Sequence, residues 1–254
     1  MKPNEPAIAS APQLIAIGDI HGCLAPLKSL ITELAPTKDD ALIFLGDYVD
    51  RGPDSKGVID YLLHLREQHT CLFLMGNHEL EFLDYLSFGR NAHWERQGGD
   101  TTLESYSASG KLYVPESHLQ FLSDCAYYYE TPDYFFVHGG LKPHRTIAEN
   151  LARMTMVDLA WERSHLAPDV LRTGDYAWEK TVVCGHTPQP HPIVMDKLIS
   201  IDTGCVYNVS RHLGMLTAIK LPSREIVQIS NRTEPALRRS FLSWMLGSKP
   251  SHSN

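Results

Sequence analysis

The chain has 254 residues, of which 43% are hydrophobic and 21% charged, and its formal net charge is -7 at pH 7. This length allows one large domain with a sizeable core, and the negative charge argues against a protein that coats nucleic acid by neutralising phosphates. The five cysteines are scattered without a CxxC pair and no segment reaches the length of a membrane span, so we expect a cytoplasmic protein without stable membrane insertion.

Short apolar runs rich in Ile, Val and Phe predict strands that are buried on both faces. These runs are QLIAI (Gln13–Ile17), ALIFL (Ala41–Leu45), TCLFLM (Thr70–Met75), YFFV (Tyr134–Val137), TVVC (Thr181–Cys184) and LISI (Leu198–Ile201). Helical periodicity between the first three predicts a parallel β-α-β-α-β start. AYYYETPDYFFV is typical of a hairpin, and GMLTAIKL with EIVQI predicts a closing antiparallel pair. We expect a flexible leader at 1–12, one domain at 13–230 and a basic amphipathic tail at 231–254.

Five of the predicted strands run into motifs rich in metal-binding residues: GDIHG, GDYVDRG, GNHE, HGG and GHT. Because the carboxyl ends of parallel strands open into one crevice, we expect these motifs to converge there. The candidate ligands are Asp19, His21, Asp47, Asn77, His138 and His186. Their oxygen and imidazole donors suit manganese, iron or zinc and do not suit a structural cysteine–zinc site.

Six ligands are too many for one open catalytic ion and suit two ions that share a carboxylate. Two divalent ions about 3.5–4 Å apart can bind both oxygens of a phosphoryl group and hold a bridging hydroxide for in-line attack. The ligand set therefore predicts phosphoester hydrolysis without a covalent intermediate.

The five motifs, in this order and at these intervals, resemble the signatures of the phosphoprotein phosphatase branch of the metallophosphoesterases. They resemble in particular the small bacterial and phage serine/threonine phosphatases, over roughly residues 13–220. The resemblance implies an α/β fold, a β-sandwich of mixed sheets flanked by helices, with a dimetal site at the carboxyl ends of the strands. Manganese is the first choice for both divalent ions, with iron or zinc as alternatives.

The resemblance also implies a role for each site residue. His78 matches the general acid that protonates the departing alcohol, and Asp50 matches the carboxylate that orients and charges this histidine. Arg51 matches an arginine that grips two phosphate oxygens. The implied metal ligands are Asp19 and His21 on the first ion, Asn77, His138 and His186 on the second, and Asp47 as the bridge.

Further candidates for phosphate or substrate contact are Asn77 and Arg163, the latter in AWERSH, which resembles a stretch of the phage-type enzymes. HWERQGGDTT also resembles a family stretch near the site, where His93 or Gln97 could contact substrate. We favour a turn shaped by Gly98 and Gly99 there.

Asp202, in ISIDTGCVYN, could be mistaken for a seventh ligand. We favour a cap or turn, since an aspartate before Thr-Gly readily bonds its own backbone.

Three hypotheses for function follow. The first is a protein serine/threonine phosphatase, with phosphotyrosine as a further substrate, a phosphoprotein or phosphopeptide as partner, and no regulatory subunits implied. The second is a symmetrical diadenosine tetraphosphate hydrolase, which shares the core motifs; QGGDTTLESY resembles the phosphatases and favours the first. The third is a metal-binding regulatory module without turnover. The presence of His78, Asp50 and Arg51 argues against it, since metal binding alone needs none of them.

Overall fold

The computed structural model describes residue 8 and residues 10–232; most of the predicted leader and residues 233–254 of the predicted tail lie outside this part. The strands are β1 (Gln13–Ile17), β2 (Asp40–Phe44), β3 (Thr70–Phe73), β4 (Ser107–Ala108), β5 (Lys111–Leu112), β6 (Tyr128–Glu130), β7 (Tyr134–Val137), β8 (Thr181–Cys184), β9 (Ile193–Val194), β10 (Leu198–Ser200), β11 (Met215–Leu221) and β12 (Glu225–Ser230). The helices are α1 (Leu24–Leu34), α2 (Ser55–Leu65), α3 (Asn77–Phe88), α4 (Ala92–Trp94), α5 (Asp100–Ser105), α6 (Glu116–Asp124), α7 (Ile147–Arg153), α8 (Met156–Trp161) and α9 (Pro168–Thr173), with a kinked connection at Glu95–Gly99 between α4 and α5 and a 3₁₀ turn at Ser164–Leu166.

Two five-stranded mixed sheets form the centre of the fold, in the orders β12-β11-β1-β2-β3 and β6-β7-β8-β10-β9. β1, β2 and β3 are parallel, as the predicted β-α-β-α-β start requires. The predicted hairpin is the antiparallel pair β6–β7, and the predicted closing pair is β11–β12, which joins the first sheet beside β1. The predicted fold class, mixed sheets flanked by helices, is confirmed.

The strands are apolar on both faces because each sheet has a core on either side. In β1, Leu14 and Ala16 pack between the two sheets, while Ile15 and Ile17 pack against the helices outside. Phe136 of the second sheet faces the same intersheet core. Burying one large apolar side chain stabilises a fold by about 1.5–3 kcal/mol, so two cores hold the strand ends firmly in place.

The chain ahead of β1 contributes to this intersheet core. Ile8, inside the predicted leader, is only 1% exposed and belongs to the cluster between the sheets, with Ala11 packed against it. The domain limits drawn from the sequence stay a prediction. Among residues 8 and 10–232, no helix combines the length and the apolar character that crossing a membrane requires.

Candidate dinuclear metal site

The carboxyl ends of β1, β2, β3, β7 and β8 each deliver side chains to one buried cluster. All six residues predicted as metal ligands are nearly inaccessible to solvent, with exposures between 0% and 7%: Asp19, His21, Asp47, Asn77, His138 and His186. Residues separated by as many as 167 positions are in contact there, because the Asp19 carboxylate accepts the backbone N–H of His186. The two sheets thus place the predicted motifs together.

Asp47 lies at the centre of this cluster. Among the described residues, two groups of three side chains have ligand atoms within 4.8 Å of one another: His21, Asp47 and His78, and Asp47, His138 and His186. Asp47 Oδ2 is 3.4 Å from His21 Nε2, and Asp47 Oδ1 is 3.4 Å from His138 Nε2. Each carboxylate oxygen therefore faces a different imidazole, an arrangement that suits a carboxylate shared by two ions.

Backbone carbonyls orient two of the imidazoles. His21 Nδ1 donates to the Val49 carbonyl at 2.8 Å, and His138 Nδ1 donates to the Leu45 carbonyl at 2.7 Å. In both rings this leaves Nε2 facing Asp47, the outer-sphere arrangement that fixes metal-binding histidines in proteins. These nitrogen and oxygen donors fit divalent ions of the manganese, iron or zinc type, and together with the two groups of three they indicate a dinuclear metal site.

The charges at the centre are strongly coupled. Burial lowers the pKa of His138, but the charge and hydrogen bond of Asp47, with the charges of Asp19 and Glu79, outweigh burial and raise this pKa to about 10. Burial also raises the pKa of Asp47, yet the positive charges of His138 and His78 bring it well below its usual range. A cation at His138 would displace a proton, so metal binding should release protons.

Asp19 is buried and joins the cluster through a contact with the backbone of His186. It lies in neither group of three; both its carboxylate oxygens accept the N–H of His186, at 3.1 and 3.0 Å. Burial raises its pKa well above the usual range, and the nearby charges of Asp202 and Asp47 add to this effect. A divalent cation would offset this crowding of carboxylates. Its assignment to the first ion stays a prediction.

His78 and Asp50 form a buried pair in which Asp50 is held on several sides. His78 Nδ1 lies 2.6 Å from Asp50 Oδ2, which also accepts the indole N–H of Trp94 at 2.6 Å, while Thr102 Oγ1 donates to Asp50 Oδ1 at 2.7 Å. Burial lowers the pKa of His78, but the charge of Asp47 and the hydrogen bond of Asp50 outweigh it and raise this pKa. A protonated His78 in this position suits the predicted proton donor.

Arg51 and Arg163 approach the cluster at different histidines. Arg51 Nη1 lies 2.7 Å from His21 Nε2 and its Nη2 lies 2.7 Å from His78 Nε2. Arg163 Nη2 lies 2.7 Å from His186 Nε2, in the other group of three. The guanidinium groups therefore place positive charge beside each group, where a bound anion could accept hydrogen bonds from them.

The loops that carry these side chains have strained backbones. His21, Asp47, Asp50, Arg51 and His186 all have positive φ, between 46° and 71°. L-residues other than glycine adopt this region at a cost of order 1–3 kcal/mol, and such residues concentrate at functional sites. The surrounding contacts must hold these turns in place.

Glu79 is a site residue to which the sequence alone assigned no role. It is fully buried; Oε2 accepts the N–H groups of Asp47 and Gly76, and Oε1 accepts those of Tyr48 and Val49. Burial is the main reason that its pKa is raised to about 7. The available signal was its place in GNHE, directly after His78. Glu79 thus ties the start of α3 to the loop that carries Asp47.

The stretch HWERQGGDTT supports the site through residues other than those predicted to touch substrate. Gly98 has φ 111°, and its carbonyl accepts the N–H of Arg51 at 2.9 Å, so the expected turn exists and holds the Arg51 loop. His93 is exposed and contacts Gln97. Trp94 and Thr102, from the same stretch, bind Asp50.

Asp202 forms the predicted turn and also faces the cluster. Its Oδ1 accepts the N–H of Gly204 at 2.8 Å, which is the expected bond to its own backbone. It is 4% exposed, and burial, with the charge of Asp47, raises its pKa to about 6.

Residues 12–213 match the sequence profile of the calcineurin-like phosphoesterases. This match spans well over half of the chain, and the chain therefore belongs to the calcineurin-like phosphoesterase family, a metallophosphoesterase family of hydrolases.

Two named relatives and one solved structure are similar to this chain over most of its length. The bis(5'-nucleosyl)-tetraphosphatase PrpE, asymmetrical, of Oceanobacillus iheyensis is 28% identical over 247 residues and covers 89% of this chain and 94% of its own. The protein of the same name from Bacillus subtilis is 30% identical and covers 84% of this chain and 92% of its own. A crystal structure of a candidate diadenosine tetraphosphatase superposes with a TM-score of 0.66 at 22% identity, over 88% of this chain and 96% of that one, and shares the fold.

These relatives correct the prediction of a serine/threonine phosphatase that acts on phosphoproteins or phosphopeptides: they match most of the chain and are named as tetraphosphatases. The stretch QGGDTTLESY, which favoured a phosphatase, contains Gly98 and Thr102, and these hold Arg51 and Asp50. This stretch therefore reports how the loops beside the cluster are held and does not identify the substrate. The second hypothesis, a diadenosine tetraphosphate hydrolase, agrees better with the substrate class in these names. It specifies symmetrical cleavage, whereas the relatives are named asymmetrical.

Proposed function

We propose that this chain is a metal-dependent hydrolase of bis(5'-nucleosyl) tetraphosphates that cleaves them asymmetrically. The observation that carries the proposal is the position of Asp47, which is shared by two groups of metal-binding side chains beside Arg51 and the His78–Asp50 pair. This arrangement supports phosphoester or phosphoanhydride hydrolysis. The names of relatives that match 84% and 89% of the chain support the substrate class.

The metal ions would be held by the buried cluster, with manganese as the first choice. When bound, two divalent ions supply Lewis acidity that polarises a phosphoryl group and lowers the pKa of water. The proposed ligands are Asp19, His21, Asp47, Asn77, His138 and His186.

The side chains around the cluster would bind the phosphate chain and move a proton. The forks of Arg51 and Arg163 would each grip phosphate oxygens, and the amide of Asn77, 3.2 Å from His138 Nε2, lies close enough to contact the same group. When a phosphate draws the Arg51 guanidinium away from His78 Nε2, His78 would hold a proton at Nε2, since Nδ1 is bound to Asp50, and would donate it to the departing phosphate oxygen. Asp50 would keep the ring oriented and charged.

The proposal is tested by comparing hydrolysis of diadenosine tetraphosphate and of a phosphoserine peptide by the manganese-loaded chain. We expect a higher kcat/KM for the dinucleotide. We also expect Asp47→Asn to lose metal and activity together, because this carboxylate faces both groups of ligands. Preference for the peptide, or an Asp47→Asn protein that retains two ions and full turnover, would refute the proposal.

A further inference from the structure

A cavity of about 510 Å³ opens beside Arg51, at the edge of the metal-binding cluster. Its lining comes from the loop after β2, from α5 and from the loop between β10 and β11: Arg51, Pro53, Thr101, Glu104, Ser105 and Asn208. This volume lies within the range of roughly 300–1,000 Å³ that is typical of small-molecule sites. Only Arg51 among these residues belongs to the site described above.

The cavity has a cationic side and an acidic side. Arg51 contacts His21 and His78 through its guanidinium group, so it marks the side that faces the cluster. Glu104 is exposed on α5, and within the described part of the chain its carboxylate has neither a hydrogen-bond partner nor an ion pair. The half-buried side-chain amide of Asn208 is likewise without a partner there. Two polar groups thus remain available to a ligand.

The walls of the cavity are fixed to the loop that carries Arg51. Thr101 Oγ1 donates to the Gly98 carbonyl at 2.8 Å, and the same carbonyl accepts the N–H of Arg51 at 2.9 Å. Ser105 Oγ accepts the N–H of Lys56 at 2.9 Å and so joins α5 to α2. A cavity whose walls are already held in place binds a ligand with a smaller loss of conformational entropy.

We infer that this cavity binds one nucleoside of the dinucleotide substrate, an inference that rests on the proposed function. A phosphate chain held by Arg51 would be repelled by Glu104, so the part of the ligand that enters the cavity must be uncharged and rich in hydrogen-bond donors. A nucleoside meets this requirement: its ribose hydroxyls or an exocyclic amine can donate to the Glu104 carboxylate. Asn208 can both donate to and accept from a base, and Pro53 offers apolar surface to its face.

The experiment fills the cavity and leaves the metal-binding cluster unchanged. In Asn208→Phe a ring would occupy space where the nucleoside should lie, whereas Val209→Phe adds a similar ring at the next residue, which is 85% exposed and does not line the cavity. Each variant is compared with the natural chain on diadenosine tetraphosphate and on p-nitrophenyl phosphate, which has no nucleoside. We expect Asn208→Phe to raise KM for the dinucleotide about tenfold or more, with little change for p-nitrophenyl phosphate.

A second variant, Glu104→Gln, keeps the shape and removes the charge, so it tests the same contact without added bulk. We expect a smaller rise in KM, of about threefold to tenfold, for the dinucleotide alone. If the natural chain hydrolyses diadenosine tetraphosphate and both variants keep its KM, the nucleoside site is refuted and the proposed function stands. If the natural chain hydrolyses p-nitrophenyl phosphate but leaves the dinucleotide intact, the proposed function fails, and the nucleoside site fails with it.

Discussion

The Asp47 side chain belongs to both groups of three candidate ligands, and the backbone of Asp47 is strained. Its carboxylate oxygens each lie 3.4 Å from a different imidazole, and its φ of 52° turns the chain sharply after β2. Aspartate tolerates this left-handed region better than most residues do, because its short polar side chain can bond locally. The same turn brings Asp50 and Arg51 towards His78.

His78 is bound to Asp50 at Nδ1 and faces Arg51 at Nε2, and it is the proposed proton donor. We expect His78→Asn to lower the turnover of diadenosine tetraphosphate about 100-fold, since a positioned general acid typically contributes 10²–10⁴-fold. Metal content should stay nearly constant, because His78 is proposed as the acid and not as a ligand. Steady-state kinetics and elemental analysis of the same sample provide the two readouts.

His64→Asn serves as the control for His78→Asn, because His64 is exposed on α2 and its contacts are with residues near it in sequence, outside the cluster. Unchanged turnover in His78→Asn would remove the acid role. Loss of a metal ion would instead make His78 a ligand, a role that its membership of the group with His21 and Asp47 allows.

The loop after β2 and the start of α3 are held together mainly by Glu79. This side chain accepts four backbone N–H groups, including that of Asp47, inside a region with several positive φ values. Such a turn would otherwise leave buried donors without partners, which proteins rarely tolerate. The loop that carries Asp47 is therefore stabilised by the connection between β3 and α3.

Glu79→Gln should destabilise the protein by about 3 kcal/mol, because an amide nitrogen would face two N–H groups that a carboxylate oxygen now accepts. Urea unfolding followed by circular dichroism measures this change. Glu33→Gln, at an exposed position of α1, is the matched control and should change stability by less than about 0.5 kcal/mol. Equal stability of the two variants would show that Glu79 does not hold the loop.

The strands were predictable because both of their faces are buried and their apolar runs are uninterrupted. The one-residue shift of β2, from Ala41–Leu45 to Asp40–Phe44, has a local cause: Asp40 is buried, pairs with Gln13 and accepts the N–H of Thr37. An acidic residue gives no strand signal in the sequence.

Contacts between distant segments were harder to predict than the motifs themselves. The motifs placed the candidate ligands at strand ends. The four backbone N–H groups that donate to Glu79, and the hydrogen bond from Trp94 to Asp50, depend instead on how loops turn back in space. Asp19 shows the same limit, since its bond to the His186 N–H crosses from the first sheet to the second. Periodicity reports which face of an element is buried, and it does not report which loop covers that face.

At the scale of the whole molecule, His165 links stability to pH. It is fully buried, its Nδ1 has no partner among the described residues, and burial lowers its pKa to about 4. In the unfolded chain a histidine has a pKa of about 6.5, so between these values the unfolded state binds more protons. The stability that comes from a neutral His165 is complete above about pH 6.5 and is lost as pH falls towards 4, by about 3 kcal/mol.

We therefore expect His165→Gln to flatten the rise of the free energy of unfolding between pH 4 and 6.5, as measured by urea unfolding at several pH values. His64→Gln, at an exposed histidine, should leave the slope unchanged. If the slope in His165→Gln equals that of the natural chain, other groups cause the acid sensitivity.

The substrate was the least predictable property of the molecule. The proposed roles of Asp47, His78 and Arg51 all concern a phosphate group, which proteins and dinucleotides both carry, so their motifs do not separate the two substrate classes. The groups that could separate them include Glu104 on α5 and Asn208 on a loop. They lie in the stretches QGGDTTLESY and ISIDTGCVYN, but the sequence alone assigned a role to neither residue.

Asymmetrical hydrolysis of a bis(5'-nucleosyl) tetraphosphate by this chain is tested most directly by the identity of the products. The manganese-loaded chain is incubated with diadenosine tetraphosphate, and the nucleotides are separated by anion-exchange chromatography. We predict adenosine monophosphate and adenosine triphosphate in equal amounts, and neither product with Asp47→Asn. Adenosine diphosphate as the sole product, or an intact dinucleotide beside a hydrolysed phosphoserine peptide, would contradict the account.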